Sequence, residues 1–156
     1  MTNLVARASQ LIQCRTQDAF DAFVDPGKIT QFWLDSASAP LSRNAKATWH
    51  FMVPGSTETV TVDELESPRL IAFTWSDGVK VRLEFSEHAP GKTRASVEVR
   101  GFAGKDAVDH AVNATEGFSI VLCDLKTFLE TGRSAGLVRA KAELITASMA
   151  AAKGDG

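Results

Sequence analysis

Few residues in this chain can do acid–base or nucleophilic chemistry: it holds three histidines and two cysteines, and no tyrosine. A histidine titrates near neutrality and suits proton transfer, so His110 comes first. It falls in a helical stretch beside Asp109, Asn113 and Glu116. There it projects either into the mouth of an interior cavity or into solvent at the helix edge, and the second is the commoner fate. His50 alternates with Trp49 and Phe51 and points away from them, while His88 falls in a turn. Cys14 and Cys123 have neither C-x-x-C spacing nor a histidine cluster beside them. They read as small apolar core residues rather than a redox pair or a metal site. The chain has no phosphate-cradling glycine loop, no metal-ligand spacing and no nucleophile elbow. The sequence therefore assigns no catalytic residue, no metal and no cofactor. Acid–base work would require an Asp, Glu or His with a shifted pKa inside an apolar pocket.

Binding chemistry is better represented. Phe118, Val121, Leu122, Leu125, Phe128 and Leu129 recur at three- and four-residue steps, which is one face of a helix. Followed back toward its start, the same face carries Ala107, Ala111, Ala114 and Thr115. The helix is bulky over its C-terminal half and small over its N-terminal half. A close-packed interior needs the small half filled by side chains from opposite it. If they do not reach, a cavity opens there. The aromatic residues expected to face inward are Trp33, Trp49, Phe51, Phe73, Trp75, Phe85, Phe102 and Phe118. Together with His110, Ala111, Ala114 and Thr115 they form the candidate ligand-binding set. For each aromatic residue the competing reading is plain core, and those facing the alanine-rich half are the better candidates.

The elements that would position these residues can be read along the chain. Leu4 to Cys14 is a first strand, with Ile12 and Cys14 on one face. Thr16 caps a short helix carrying Phe20 and Phe23, and Asp25-Pro26 starts a second carrying Ile29, Phe32 and Trp33. Ser36 to Asn44 reads as loop. Alternating strands follow over Lys46–Val53, Glu58–Leu65, Leu70–Trp75, Val79–Glu87 and Thr93–Phe102. Pro54-Gly55, Ser67-Pro68, Ser76-Asp77-Gly78 and Pro90-Gly91-Lys92 are the turns. Lys80, Arg82 and Glu84 lie opposite Arg94, Glu98 and Arg100 and form cross-strand charge pairs on a solvated face. Asp106 caps the long helix. Val138, Ala142, Ile145 and Met149 put a further helix over Leu137 to Ala152, at the sheet edge or in a dimer contact, with fraying expected from Ala147.

The order is strand, two helices, a run of five or six antiparallel strands, and one long helix. It predicts an α+β fold with a curved antiparallel sheet wrapped around that helix. Residues 1–134 form the domain and 135–156 a helical tail. With 156 residues, 44% hydrophobic and 23% charged, the chain has the composition of an ordinary globular domain. A net charge of −2 provides no basic field for nucleic acid. Met1 to Cys14 contains no unbroken apolar run, and no stretch approaches the ~20 apolar residues that span a bilayer. A cytoplasmic protein is expected, and there the Asn113-Ala114-Thr115 sequon carries no meaning.

Several segments resemble the helix-grip, START-like superfamily (SRPBCC, or Bet v 1-like), and within it the branch named after the activator of heat-shock protein 90 ATPase. They are Ile12 to Phe20, Gln31-Phe32-Trp33-Leu34, and Val62-Asp63-Glu64-Leu65 followed by Ser67-Pro68-Arg69-Leu70-Ile71-Ala72-Phe73-Thr74-Trp75. Gly91-Lys92-Thr93-Arg94 also matches, as does Gly117-Phe118 with Leu122, Leu125 and Leu129, where Phe stands for the branch's usual Trp. The resemblance runs from about residue 5 to 132. It implies a cavity between sheet and long helix that takes small apolar or amphipathic molecules. Relatives include lipid and hormone binders, polyketide cyclases and a cochaperone domain. The expected function is non-catalytic binding of a small hydrophobic or aromatic ligand. The alternatives are a protein-interaction module and a cyclase- or aromatase-type enzyme. A homodimer through the tail is one expected partnership. A chaperone partner is a weaker one, because the sequence shows no second, chaperone-binding domain.

Overall fold

The computed structural model describes residues 3–154. The chain runs β1 (Ala6–Ile12), α1 (Thr16–Val24), α2 (Pro26–Ile29), β2 (Leu34–Ala37), β3 (Lys46–Phe51), β4 (Thr57–Glu66), β5 (Leu70–Thr74), β6 (Lys80–Ala89), β7 (Lys92–Arg100), α3 (Ala107–Thr131) and α4 (Leu137–Gly154). The strands form one seven-stranded sheet in the order β1-β7-β6-β5-β4-β3-β2, and every neighbouring pair is antiparallel. This is the helix-grip α+β arrangement. Pairing of the first strand with the last, Arg7 opposite Glu98 and Ile12 opposite Thr93, brings the chain start beneath α3.

Alternation sets the buried face. In β6 Val81, Leu83 and Phe85 are buried, and in β7 Ala95, Val97 and Val99 are. Their outward neighbours pair with one another. Arg7 meets Glu98 at 3.0 Å, while Arg82 meets Glu84 at 2.6 Å and reaches past Ala72 to Glu64 at 3.4 Å. Exposed pairs of this kind contribute about 0–1 kcal/mol each. Against them, burial of Phe118, Val121, Leu122 and Leu125 at about 1.5–3 kcal/mol per side chain decides where α3 lies. Polar bonds fix its register: Lys126 Nζ donates to Leu11 O at 2.7 Å, and Gln13 N donates to Glu130 Oε2 at 2.9 Å. Gly132, at φ 82°, ends the helix with its N–H on Phe128 O.

Some local expectations need correction. Leu34–Ala37, partly assigned to loop, is an edge strand paired with β3 across a bulge. It is too short for alternation to be read, since only Leu34 is fully buried. The cap of α1 is Arg15 rather than Thr16. Asp18 accepts from the Arg15 backbone N–H at 3.2 Å and from its guanidinium at 2.8 Å, and those bonds hold the Asp18 carboxyl below its ordinary pKa. Asp25 caps α2 through Gly27 N–H at 2.9 Å, as its position before Pro26 predicts. Asp106 stands before α3 without a side-chain capping bond. Cys14 and Phe102 lie just outside the strands expected to contain them. Helix α4 continues through Gly154, past the expected fraying at Ala147; the last two residues of that segment lie outside the described ones.

Asp124 joins α3 to α4. It is 1% exposed. Its carboxylate accepts from Ser134 Oγ at 2.8 Å, from Ala135 N at 2.8 Å and from Val138 N at 3.5 Å. An anion placed against the first N–H groups of a helix satisfies donors that have no partner within the helix. Asp124→Ala is expected to cost about 1–3 kcal/mol by orphaning those donors, and Asp124→Asn less, because an amide oxygen still accepts. Denaturant midpoints measure both, and unchanged midpoints would contradict the joint. Gly101, at φ 94°, holds a backbone conformation that side chains strain, and a Cβ there would crowd Gly78 O at 3.2 Å. Gly101→Ala should therefore destabilise by about 1–3 kcal/mol in the same assay.

Candidate functional site

A cleft of about 300 Å³ opens beside Ala114 to Val121, the middle of α3. Three groups of residues form its walls. Trp33, Phe51 and Trp75 are the aromatic wall, and Ala114, Gly117, Phe118 and Val121 of α3 face them. Val138, Ala142 and Ile145 of α4 close the third side, and Met52, Val53 and Ser56 of the β3–β4 turn complete the rim. The opening arises because Ala114, Gly117 and Ala142 are too short to meet the rings across the gap. Gly117 has no atom within 4 Å of where a Cβ would stand.

The aromatic wall is rigid because each ring is held by others. Trp33 lies 5.2 Å from Trp49, 5.6 Å from Phe118 and 5.8 Å from Phe23, all edge-to-face. Trp75 lies 4.9 Å from Phe73 and 5.7 Å from Trp49. Such pairs each contribute about 0.5–1.5 kcal/mol beyond the area they bury, so neither tryptophan closes the cleft without breaking several of them.

The residues proposed from sequence divide accordingly. Trp33, Phe51, Trp75, Ala114 and Phe118 come together on the cleft wall. Trp49 and Phe73 are buried one layer behind, against Trp33 and Trp75. Phe85 is buried at the other side of the core, against Phe20 and Phe23. Phe102 is half-buried and Ala111 half-buried, neither on the wall. His110 and Thr115 are exposed, and Thr115 Oγ1 donates to Ala111 O at 2.8 Å within its own helix. The α4 residues and the β3–β4 turn were not expected at the site. Asp124, which seats α4, was also missed. It falls on the apolar stripe with Val121, Leu125 and Phe128, and a carboxylate in that position is the signal that could have exposed it.

Polar groups are scarce on the wall. Besides the two indoles they are the Ser56 hydroxyl and the Lys141 ammonium. Lys141 Nζ lies 2.7 Å from Glu116 Oε1 at the rim. Among the described residues no buried side-chain nitrogen or oxygen lacks a partner, and no group of three or more His, Cys, Asp or Glu is placed to hold a metal. The Cys14 thiol is pushed above its ordinary pKa, chiefly by burial, which lowers its reactivity. No helix among the described residues is long and apolar enough to cross a membrane.

Comparison with known proteins places this geometry. No curated protein matches, whereas solved structures do. The protein SSP2350 from Staphylococcus saprophyticus is 26% identical, with a TM-score of 0.72 over 85% of this chain and 95% of its own. Aha1 from Colwellia psychrerythraea, whose solution structure is of a dimer, is 15% identical, with a TM-score of 0.71 over 86% of this chain and all 100% of its own. CalU16 from Micromonospora echinospora is 16% identical, with a TM-score of 0.66 over 96% of each chain. The last two likenesses concern the fold. The sequence profile described as "Activator of Hsp90 ATPase homolog 1-like protein" matches residues 13–130, well over half of the chain. With its strand order and its long helix across the sheet, the chain belongs to the Activator of Hsp90 ATPase homolog 1-like family.

Proposed function

We propose that this protein binds a small apolar or amphipathic molecule in the cleft between the aromatic wall, α3 and α4, without catalysing a reaction on it. The observation that carries this reading is the cleft wall: rings held rigidly on one side and small side chains on the other, with few polar groups. Apolar concavities of about 300–1,000 Å³ are the usual form of a small-molecule site, and this one lies at the lower end. A cyclase- or aromatase-type activity would call on a titratable group inside the cleft. The wall offers only Lys141, already paired with Glu116, and His110 stands outside in solvent.

A second reading rests on the outer face of α4. Leu144 is 65% exposed and Met149 46% exposed, with Leu137 and Ile145 beside them. Exposed apolar residues grouped in this way suit a protein contact, and a second copy of the chain is the simplest partner. The two surfaces share Ile145 at their boundary, while Leu144 and Met149 lie outside the cleft.

Titration with 1-octanol tests the first reading. The chain holds three tryptophans and no tyrosine, two of them on the cleft wall, so a saturable change in intrinsic fluorescence reports occupancy. Ala114→Leu and Gly117→Leu should fill the cleft, keep the fold by circular dichroism and weaken octanol binding at least tenfold, the loss of about 1.4 kcal/mol or more. Unchanged binding in both variants would contradict the site. For the second reading, light scattering should give a dimer mass that Leu144→Glu with Met149→Glu reduces to a monomer. A monomer mass for the unmodified chain removes it.

A further inference from the structure

We infer that the ligand of this cleft is an amphipathic anion, a small apolar body bearing one carboxylate, and that the ammonium of Lys141 holds its head. This inference rests on the ligand-binding reading above. Lys141 is the one charged residue on the cleft wall. Its side chain is 34% exposed, against 56% for its partner Glu116, so much of its length is covered while its ammonium meets Glu116 at the rim. The butyl stem of a lysine packs along apolar surface while its head stays at the rim, which suits a ligand whose body is buried and whose head is not. An ammonium carries three donors. Among the described residues Glu116 is the one carboxylate paired with it, so a second carboxylate can be accepted at the same nitrogen. Full exchange with Glu116 is also cheap, because an ion pair this exposed is weak and the released Glu116 returns to solvent.

Charge also separates the ligand classes. An amine-headed molecule would bring a second cation beside Lys141 on a wall with no carboxylate of its own. A neutral molecule would fill the cleft and gain nothing from the rim. The Ser56 hydroxyl, the other polar side chain there besides the indoles, can serve either head and does not discriminate.

The test compares octanoate, 1-octanol and octylammonium on the intact chain by tryptophan fluorescence, with dissociation constants taken at low and high salt. Octanoate is expected to bind about two- to fivefold more tightly than octanol, as an ion pair at a part-exposed site should give, and octylammonium more weakly than either. The octanoate advantage should shrink as salt rises. It should vanish in Lys141→Gln and survive in Lys141→Arg. Equal affinities for octanoate and octanol in the unmodified chain would overturn the inference and leave the cleft as a binding site. An octanoate preference that persists in Lys141→Gln would overturn it equally. If no probe binds, the ligand-binding reading fails and this inference fails with it.

Discussion

Close packing is satisfied along the C-terminal turns of α3 and fails around Ala114 and Gly117, and the cleft walls are arranged around that gap. Over the C-terminal half, Phe118, Val121, Leu122 and Leu125 reach the sheet and are buried, and Phe128 stacks on Phe32 with ring centroids 5.9 Å apart. Toward the N-terminus Ala107, Ala111 and Ala114 follow on the same face. An alanine extends one carbon from the backbone, so a helix whose axis is set by phenylalanine and leucine fills less of the space before it where alanines follow, and Ala114 lines the cleft there. The bulky half anchors the helix, and the gap at Ala114 and Gly117 lies where that anchored helix carries its smallest side chains.

Two features keep the resulting space from collapsing. The first is the aromatic wall, in which Trp33 contacts Phe23, Trp49, Phe51, Trp75 and Phe118. A ring packed on so many sides has no second rotamer without loss of several contacts. The second is α4, which lies over the opening and is seated by the buried carboxylate of Asp124. The α4 residues toward the cleft are Val138, Ala142 and Ile145, with Lys141 at the rim. A carboxylate at one helix start therefore determines the third wall of the cleft and the position of its one charge.

Much of this was legible in the sequence, for physical reasons that can be named. Alternation over Val81, Leu83 and Phe85 and over Ala95, Val97 and Val99 fixed the buried face, because a period of two allows no other. Of the small residues read along α3, Ala114 lines the cleft, while Ala107, Ala111 and Thr115 do not. Trp33, Phe51, Trp75, Ala114 and Phe118 could be named as its neighbours, but the depth of each ring could not. Trp49 and Phe73 share a face with Phe51 and Trp75, and which layer lines a void depends on sheet curvature, which periodicity does not carry. Phe85 belongs to the same face at a distance from the cleft, for the same reason. The role of α4 was hidden because amphipathic spacing gives a helix a buried side without saying what it is buried against. The short strand at Leu34–Ala37 was hidden because its pairing is made by backbone groups common to every residue.

The central claim is that a small molecule enters this cleft and not the outer face of α4. A 15N–1H correlation spectrum recorded during titration with 1-octanol separates the two directly. Saturable shifts are expected to cluster at the backbone amides of Ser56, Ala114, Gly117 and Ala142, which line the cleft, with the amides around Leu144 and Met149 little changed. Shifts confined to Leu144 and Met149, or no saturable shift at all, would contradict the central claim.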